Sequence, residues 1–243
     1  QSMDAEDVKP NRLEKAKFEI SQMIRKLKGD RVALVVFAGS SHLYLPLTTD
    51  YEAAQLFLDG IDTKLIPTQG TDLSTAIQTG MSAFTEESEH YKVFVLVTDG
   101  EDHKGTAIDL AEKASNQGMI IHTVGVGTET GSLIPIIEKD ESREYKRDRQ
   151  GILVTSVLNE GLLRDIAYAG NGVFVRFDNR AASHREIMTA IDTMEKRTIQ
   201  SHVYAEFEDR YQTFAFLSFL FLGVSMILPT RKKEESTWRG RIV

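Results

Sequence analysis

Cysteine is absent from this chain of 243 residues. Disulfide bonds and thiolate metal sites are therefore excluded, and cysteine usage leaves the redox compartment undecided. Basic residues are outnumbered, since 29 Lys and Arg stand against 36 Asp and Glu and give a formal net charge of −7. Nucleic-acid-binding proteins usually present a basic face, so this acidic balance argues against nucleic acid as a partner.

Several signatures of catalysis and cofactor binding are missing as well. The chain has no P-loop pattern and no G-x-S-x-G nucleophile elbow, and the glycines of GVGTETG (125–131) lack the dinucleotide-binding spacing. Its six histidines show no paired zinc spacing. His122 falls inside an apolar run, and we interpret it as a packed core residue. These absences favour a binding function over catalysis.

Apolar runs of strand length alternate with amphipathic helical patterns along most of the chain. Strands are predicted at residues 31–39, 41–49, 92–100, 119–127 and 172–177, and helices at 11–28, 50–61, 73–84, 106–117, 162–169 and 183–200. Continuous apolar strands are typical of a parallel sheet covered by helices on both faces. We therefore predict an α/β fold with a doubly wound, mostly parallel sheet. Pro46 favours an edge position for the second strand.

One segment interrupts this alternation between the fourth strand and the short fifth helix. Residues 138–150, EKDESREYKRDRQ, are highly charged, and the apolar stretch GILVTSVLN follows them. We interpret the region as an inserted loop or an exposed hairpin. Its charges are typical of a solvated surface, with partner binding as the alternative.

The C-terminal part of the chain contains a long uncharged run. Residues 213–229, TFAFLSFLFLGVSMILP, together with the two residues before them, are just long enough to cross a hydrocarbon core of about 30 Å as a helix. We predict a membrane-spanning helix there, preceded by a linker at 203–212 and followed by a basic tail at 230–243. Because Lys and Arg collect on the cytoplasmic side, we expect the tail in the cytoplasm and the main domain, residues 1–202, on the far side.

Carboxylates follow the third predicted strand directly in VFVLVTDGED (93–102). In a doubly wound sheet, ligands bind at the C-terminal ends of the strands, so Asp99 lies at a candidate binding edge. Thr71, in QGTDLSTAI, precedes a helix and reaches the same edge in such a fold. Either Thr71 or Asp72 caps that helix, or the Thr71 hydroxyl binds a cation. Hydroxyl and carboxylate oxygens suit Mg²⁺, which keeps several waters in an octahedral shell.

Five stretches resemble von Willebrand factor A (VWA) domains, specifically the aerotolerance-operon membrane proteins of the BatA/BatB type: QSMDAEDVKPNRLEKAK, GDRVALVVFAGSSHLYLPLTTDY, LIPTQGTDLSTAI, VLVTDGEDH and IHTVGVGT. The resemblance implies a metal-ion-dependent adhesion site, whose motif is Asp-x-Ser-x-Ser followed by a distant Thr and a distant Asp. Ser2 matches the last serine, Thr71 the threonine and Asp99 the aspartate. In the family the serines and the threonine contact the metal, the aspartates act mainly through water, and one position is open to a partner's carboxylate.

The resemblance also implies that part of this site is missing from the sequence. The Asp and the first Ser of the motif would precede Gln1, together with the central strand that carries them. The first ten residues lack the apolar core of a signal peptide, so we expect the natural start to lie upstream. We expect such an incomplete site to bind Mg²⁺ poorly until the upstream strand is restored.

The function that the resemblance implies is a membrane-anchored, Mg²⁺-dependent protein–protein interaction, without enzymatic activity. Its expected place is the bacterial inner membrane, with the VWA domain on the extracytoplasmic side. The implied partners are a MoxR-type AAA+ ATPase and sister Bat proteins. Two alternatives stay open: a metal-dependent hydrolase that uses Asp99 and Asp102, and a subunit of a chelatase-like ATPase assembly.

Overall fold

A computed structural model describes residues 1–84, 91–102, 105–137, 143–178, 183–193 and 211–227 of the chain. Contacts divide the chain into two units, Gln1–Glu195 and Lys196–Val243. The strands are β1 (Val32–Phe37), β2 (Ser41–Thr48), β3 (Lys92–Thr98), β4 (Met119–Val126), β5 (Ser132–Leu133), β6 (Pro135–Ile137), β7 (Arg143–Tyr145), β8 (Thr155–Ser156) and β9 (Asn171–Phe177). The helices are α1 (Arg12–Ile24), α2 (Tyr51–Asp59), α3 (Leu73–Ala83), α4 (Ala107–Asn116), α5 (Glu160–Ala169), α6 (described over residues 184–193) and α7 (Tyr211–Ile227).

The centre of the first unit is a three-stranded parallel sheet in the order β3–β4–β9. Side chains of β4 alternate between its two faces, and nearly all of them are buried. Ile121 packs with residues of α3, α4 and α5, whereas Val124 packs with residues of α1 and α6. Helices therefore cover both faces of the parallel strands, which confirms the predicted α/β fold.

Strands β1 and β2 form a separate antiparallel pair. In the described part of the chain β2 pairs only with β1, in agreement with the edge position predicted from Pro46. No pairing joins β1 to β3 among the described residues. A cavity of about 710 Å³ lies there instead, and residues 32–38 and 93–99 contribute to its lining. The sheet is thus divided beside the strand that leads to Asp99.

The helix starts follow local capping chemistry. The Asn11 side chain accepts a hydrogen bond from the backbone N–H of Glu14 at 2.8 Å, which is the first of the two bonds of a capping box. Asp72 caps α3, because its Oδ1 accepts from the N–H of Thr75 at 3.0 Å. Of the two candidates, the cap is therefore Asp72, and the Thr71 hydroxyl is not used in that role.

Several helix boundaries differ from the prediction by one to four residues. Helix α1 ends at Ile24 rather than at Lys28, because the following residues form a tighter turn in which Leu27 N–H donates to the Ile24 carbonyl oxygen at 3.2 Å. Helix α5 begins at Glu160, two residues earlier than predicted, because Asn159 caps it. Apolar spacing locates a helix face well but does not mark where the cap lies.

The region inserted after β4 contains short antiparallel pairs. Strand β5 pairs with β8, and β6 pairs with β7. This arrangement agrees with the hairpin interpretation of the charged insert. Residues 138–142 of that insert lie outside the described residues.

Helix α7 is the described part of the second unit. Within the residues that the structure describes, no helix is long and apolar enough to cross a membrane. The membrane-spanning helix predicted at 213–229 is therefore not found there, and residues 228 and 229 lie outside the described part.

Candidate metal site

Asp99 directly follows β3, which ends at Thr98. The residue is only 1% exposed, although it lies at the C-terminal edge of the sheet. The next residue, Gly100, has a φ of +78°, and a Cβ there would lie 2.7 Å from the carbonyl oxygen of Asn159. A residue with a side chain would be strained in this position. The sharp turn therefore keeps the Asp99 carboxylate close to the end of its strand.

Hydrogen bonds reach both oxygens of the Asp99 carboxylate. Oδ2 lies 3.4 Å from Nη1 of Arg12 and 3.2 Å from Oγ of Ser156. Oδ1 accepts from the backbone N–H of Glu101 at 3.3 Å. The Ser156 hydroxyl also lies 2.9 Å from Oε1 of Glu101, and its single proton serves one of the two carboxylates at a time.

Ser2 and Thr71, from other parts of the chain, line the same cavity as Asp99. Ser2 begins a short 3₁₀ turn that ends at Asp4. Thr71 follows Gly70, whose φ of +116° bends the loop before α3. Both residues are partly buried, and both line the cavity that Asp99 also lines. The structure thus brings all three predicted site residues to one cavity.

This donor set suits a hard cation. Two hydroxyls and one carboxylate supply only oxygen, which is what Mg²⁺ prefers, and the ion keeps waters at its other positions. Among the described residues, no group of three or more His, Cys, Asp or Glu side chains is arranged to hold a metal. A metal here could therefore draw on the hydroxyls of Ser2 and Thr71 in addition to the Asp99 carboxylate.

Arg12 was not singled out by the sequence analysis, yet it contacts the site directly. It is the first residue of α1 and is fully buried. Nε and Nη2 each donate to a different oxygen of Asp7 at 2.8 Å. Nη2 also donates to the carbonyl oxygen of Ser156 at 3.0 Å, while Nη1 donates to Oγ of Ser156 at 2.8 Å and approaches Asp99. We call Asp7, Arg12, Asp99 and Ser156 the Arg12 junction.

The Arg12 junction also holds the loop after β4. Asp7 Oδ2 accepts from the backbone N–H and from Oγ1 of Thr128, at 2.8 and 2.9 Å. Burial alone raises the pKa of Asp7, but its hydrogen bonds with Arg12 and Thr128 outweigh burial and hold that pKa below its usual value. A Cβ on Gly127 would lie 2.7 Å from Cζ of Arg12, so the absence of a side chain there makes room for the guanidinium.

One signal in the sequence points to Arg12. The positive end of the helix dipole disfavours a cation in the first turn, where acidic residues are usual. An arginine at the first helical position of NRLEKAK is therefore slightly disfavoured unless a carboxylate lies nearby, and Asp7 lies five residues earlier. Asp102, the second carboxylate of the hydrolase alternative, lies in the loop that follows, where it accepts from the N–H of Gly105 at 2.9 Å.

Comparison with known proteins identifies the family. Residues 1–101 match the model of the von Willebrand factor type A domain. The structure of BatB from Bacteroides thetaiotaomicron is 39% identical, with a TM-score of 0.76, and the match covers 80% of this chain and 94% of that one. The chain belongs to the von Willebrand factor type A (VWA) domain family. The predicted resemblance to its BatA/BatB-type members is confirmed.

Two further relatives agree with this assignment of the VWA domain. An aerotolerance-related membrane protein from Bacteroides fragilis NCTC 9343 is 38% identical with a TM-score of 0.75, over 79% of this chain and 94% of that one. A UPF0353 protein of Nocardia farcinica is 29% identical over 81% of this chain. The chain spans 59% of the length of that relative, and 44% of a second UPF0353 protein, from Mycolicibacterium paratuberculosis.

Proposed function

We propose that this VWA domain binds a partner protein through a divalent cation, Mg²⁺ in the first instance, at the edge that carries Asp99. The observation that supports this most is that Ser2, Thr71 and Asp99, from three separate segments, line one cavity. Ser2 and Thr71 would offer hydroxyl ligands, and Asp99 would hold the ion mainly through water. The cation would supply an electrophilic position that captures a carboxylate of the partner.

The environment of Asp99 favours binding over hydrolysis. A general base must be placed to take a proton from a substrate or a bound water. Here the hydrogen bonds to Oδ1 and Oδ2 fix the carboxylate within the protein. A carboxylate held in this way is suited to orienting a metal and its waters. VWA-type and Bat-type relatives are consistent with an interaction module rather than an enzyme.

The partners follow from the BatA/BatB-type resemblance. We propose a MoxR-type ATPase and sister Bat proteins, assembled in the bacterial cell envelope. An exposed aspartate or glutamate on one of these proteins would complete the coordination of the cation. The chemistry that selects the partner is therefore a carboxylate on a surface shaped to fit the sheet edge.

We also propose that α7 attaches the protein to a lipid bilayer. Its sequence contains no charge, and the large apolar side chains over residues 216–224 are exposed. The basic residues Arg231, Lys232 and Lys233 follow it in the sequence and would interact with anionic headgroups. The VWA domain would then lie on the extracytoplasmic side. Retention in the membrane pellet, lost when residues 211–243 are deleted, would support the attachment; unchanged retention would contradict it.

Metal binding can be tested with one loop substitution and its neighbour. Thr71→Ala removes a proposed ligand, so Mn²⁺ binding followed by water-proton relaxation should weaken by at least about tenfold. Thr68→Ala lies in the same loop but outside the cavity lining, and it should bind Mn²⁺ as the unaltered protein does. Equal Mn²⁺ binding by all three proteins would refute the proposed site.

Partner binding requires a second experiment. A MoxR-type ATPase or a Bat protein should co-purify with the domain in Mg²⁺ but not in EDTA, and Thr71→Ala should abolish the capture. Capture that is unaffected by EDTA would refute the metal-dependent mechanism. Hydrolytic turnover that disappears in Asp99→Ala would instead establish the hydrolase.

A further inference from the structure

The charge of Arg12 is buried at a position where burial is costly. The side chain is 0% exposed, and an unpaired guanidinium would not be tolerated there. A guanidinium carries five N–H donors. In the Arg12 junction each of the five has an acceptor, because Asp7 takes two, Ser156 takes two and Asp99 takes one. All five donors of the planar guanidinium are therefore used, and the guanidinium fixes the relative positions of the segments that carry Asp7, Asp99 and Ser156.

The five hydrogen bonds are not equal. The two to Asp7 are 2.8 Å long and form a bidentate pair, whereas the one to Oδ2 of Asp99 is 3.4 Å. Asp7 is thus the principal counter-ion of Arg12. The longer contact is one of two to Oδ2 of Asp99, since the Ser156 hydroxyl also lies 3.2 Å from that oxygen. Arg12 and Ser156 together therefore orient the Asp99 carboxylate.

We propose that Arg12 is a positioning residue of the metal edge. With Ser156 it holds Oδ2 of Asp99 and thereby directs Oδ1, which also accepts from the backbone N–H of Glu101 at 3.3 Å, toward the cation or a water bound by the cation. This inference rests on the proposed function, and it adds a residue that the VWA motif does not contain. Arg12 acts through Asp99 and touches neither the metal nor the partner.

Two substitutions of Arg12 separate geometry from charge. Arg12→Lys keeps the positive charge but loses the planar set of five N–H donors, and Arg12→Gln loses both. If Arg12 orients Asp99, both variants should weaken Mn²⁺ binding by about 10- to 100-fold, which is the usual loss when a group that orients a metal ligand is removed. If only its charge mattered, Arg12→Lys would bind as the unaltered protein does, and Arg12→Gln would bind more tightly because a repulsive cation is gone.

A loss of stability alone must be distinguished from a loss of positioning. Thr128→Val is the matched control, because it removes a hydrogen bond to Asp7 in the same junction but leaves Arg12 and Asp99 in contact. Its melting temperature in EDTA should fall, whereas its Mn²⁺ dissociation constant should stay within about twofold of the unaltered protein. Ser156→Ala removes the second donor to Oδ2 without changing a buried charge, and it should weaken Mn²⁺ binding. It therefore tests the proposal even where an Arg12 variant fails to fold.

The experiment is Mn²⁺ titration of the whole chain by water-proton relaxation, at a temperature where every variant is folded. Weaker binding by Arg12→Lys, Arg12→Gln and Ser156→Ala, with unchanged binding by Thr128→Val, supports the proposal. Unchanged binding by the Arg12 variants overturns it and leaves the metal site intact. Because the unaltered protein is expected to bind weakly, only the absence of Mn²⁺ binding at the high Mn²⁺ concentrations that a weak site requires overturns the proposed function as well, so the two failures are distinguishable.

Discussion

Glu19 provides the sharpest test of how the described helices are held together. Its carboxylate is fully buried on α1. Oε1 accepts from Nζ of Lys15 at 2.6 Å, and Oε2 lies 2.6 Å from Nδ1 of His184 and 3.0 Å from its backbone N–H. Burial raises the pKa of Glu19, but the hydrogen bonds from Lys15 and His184 outweigh it and hold that pKa below its usual value. The carboxylate therefore joins α1 to the start of α6.

Glu19→Gln keeps the size of the side chain and removes its charge. Removing one partner of a buried ion pair typically costs about 3–5 kcal/mol. The Lys15 side chain is 11% exposed, so water relieves part of the loss and we expect a value near about 3 kcal/mol. Glu14→Gln is the matched control on the same helix. Its pair with Lys17 is 49% exposed at the glutamate, and such surface pairs contribute below about 1 kcal/mol.

Urea unfolding monitored by circular dichroism measures both losses, and the pH dependence identifies their origin. Because the pKa of Glu19 is lowered in the folded state, its contribution is complete above the unfolded value of about 4.5 and is lost as the pH falls through the lower folded value. The difference between the Glu19→Gln variant and the unaltered protein should therefore shrink in acid. Equal losses for Glu14→Gln and Glu19→Gln at pH 7, or a difference that persists in acid, would refute this account.

Two further predictions concern the buried strand β4. Burial lowers the pKa of His122 from 6.5 to about 4, so the unfolded chain takes up a proton first as the pH falls. The free energy of unfolding should therefore fall by about 3 kcal/mol between pH 6.5 and pH 4. His122→Gln should remove this part of the pH dependence in urea unfolding, and an unchanged dependence on pH would contradict it. A Cβ on Gly172 would overlap the carbonyl oxygen of Ile121 between β4 and β9, so Gly172→Ala should lose about 3 kcal/mol or more. Gly161→Ala, in α5, is the control, because a Cβ there would lie no closer than 3.7 Å to another atom. Its free energy of unfolding should stay within about 1 kcal/mol of the unaltered protein in thermal unfolding. Equal melting temperatures for the two variants would contradict the packing argument.

The parallel strands and their helices could be predicted because burial leaves a clear pattern in the sequence. Strand β4 reads as a mostly apolar run that is interrupted by His122 and Thr123, and in the structure both of its faces are covered. His122 was placed in the core on this pattern, and it is fully buried. Its Nδ1 accepts from the N–H of Val173 at 3.1 Å, a contact that fixes the tautomer and that no local pattern reveals.

The ends of helices were predicted less well, because they depend on individual hydrogen bonds. Asn11 and Asp72 are caps that sequence signals identify. The tightened turn after Ile24 and the early start of α5 depend on backbone contacts that propensity does not specify.

The candidate site was predicted only in part, because its polar contacts join distant segments. Ser2, Thr71 and Asp99 were assigned by motif, and all three are among the residues that line one large cavity. Arg12 and Ser156 are 144 residues apart, and no spacing rule links them. The only local clue is that an arginine at the start of a helix is unfavourable unless a carboxylate pairs with it.

Helix α1 carries two buried ionic groups of different character, and the difference bears on function. Arg12, Lys15 and Glu19 lie at helical spacing on one buried face. Around Glu19 the negative charge is met by Lys15 and by donors from His184, so no further cation is needed. Around Arg12 the guanidinium donates to the carboxylates of Asp7 and Asp99, and Glu101 is reached through Ser156. The first group stabilises the fold, whereas the second joins the fold to the Asp99 edge, where we propose the divalent cation.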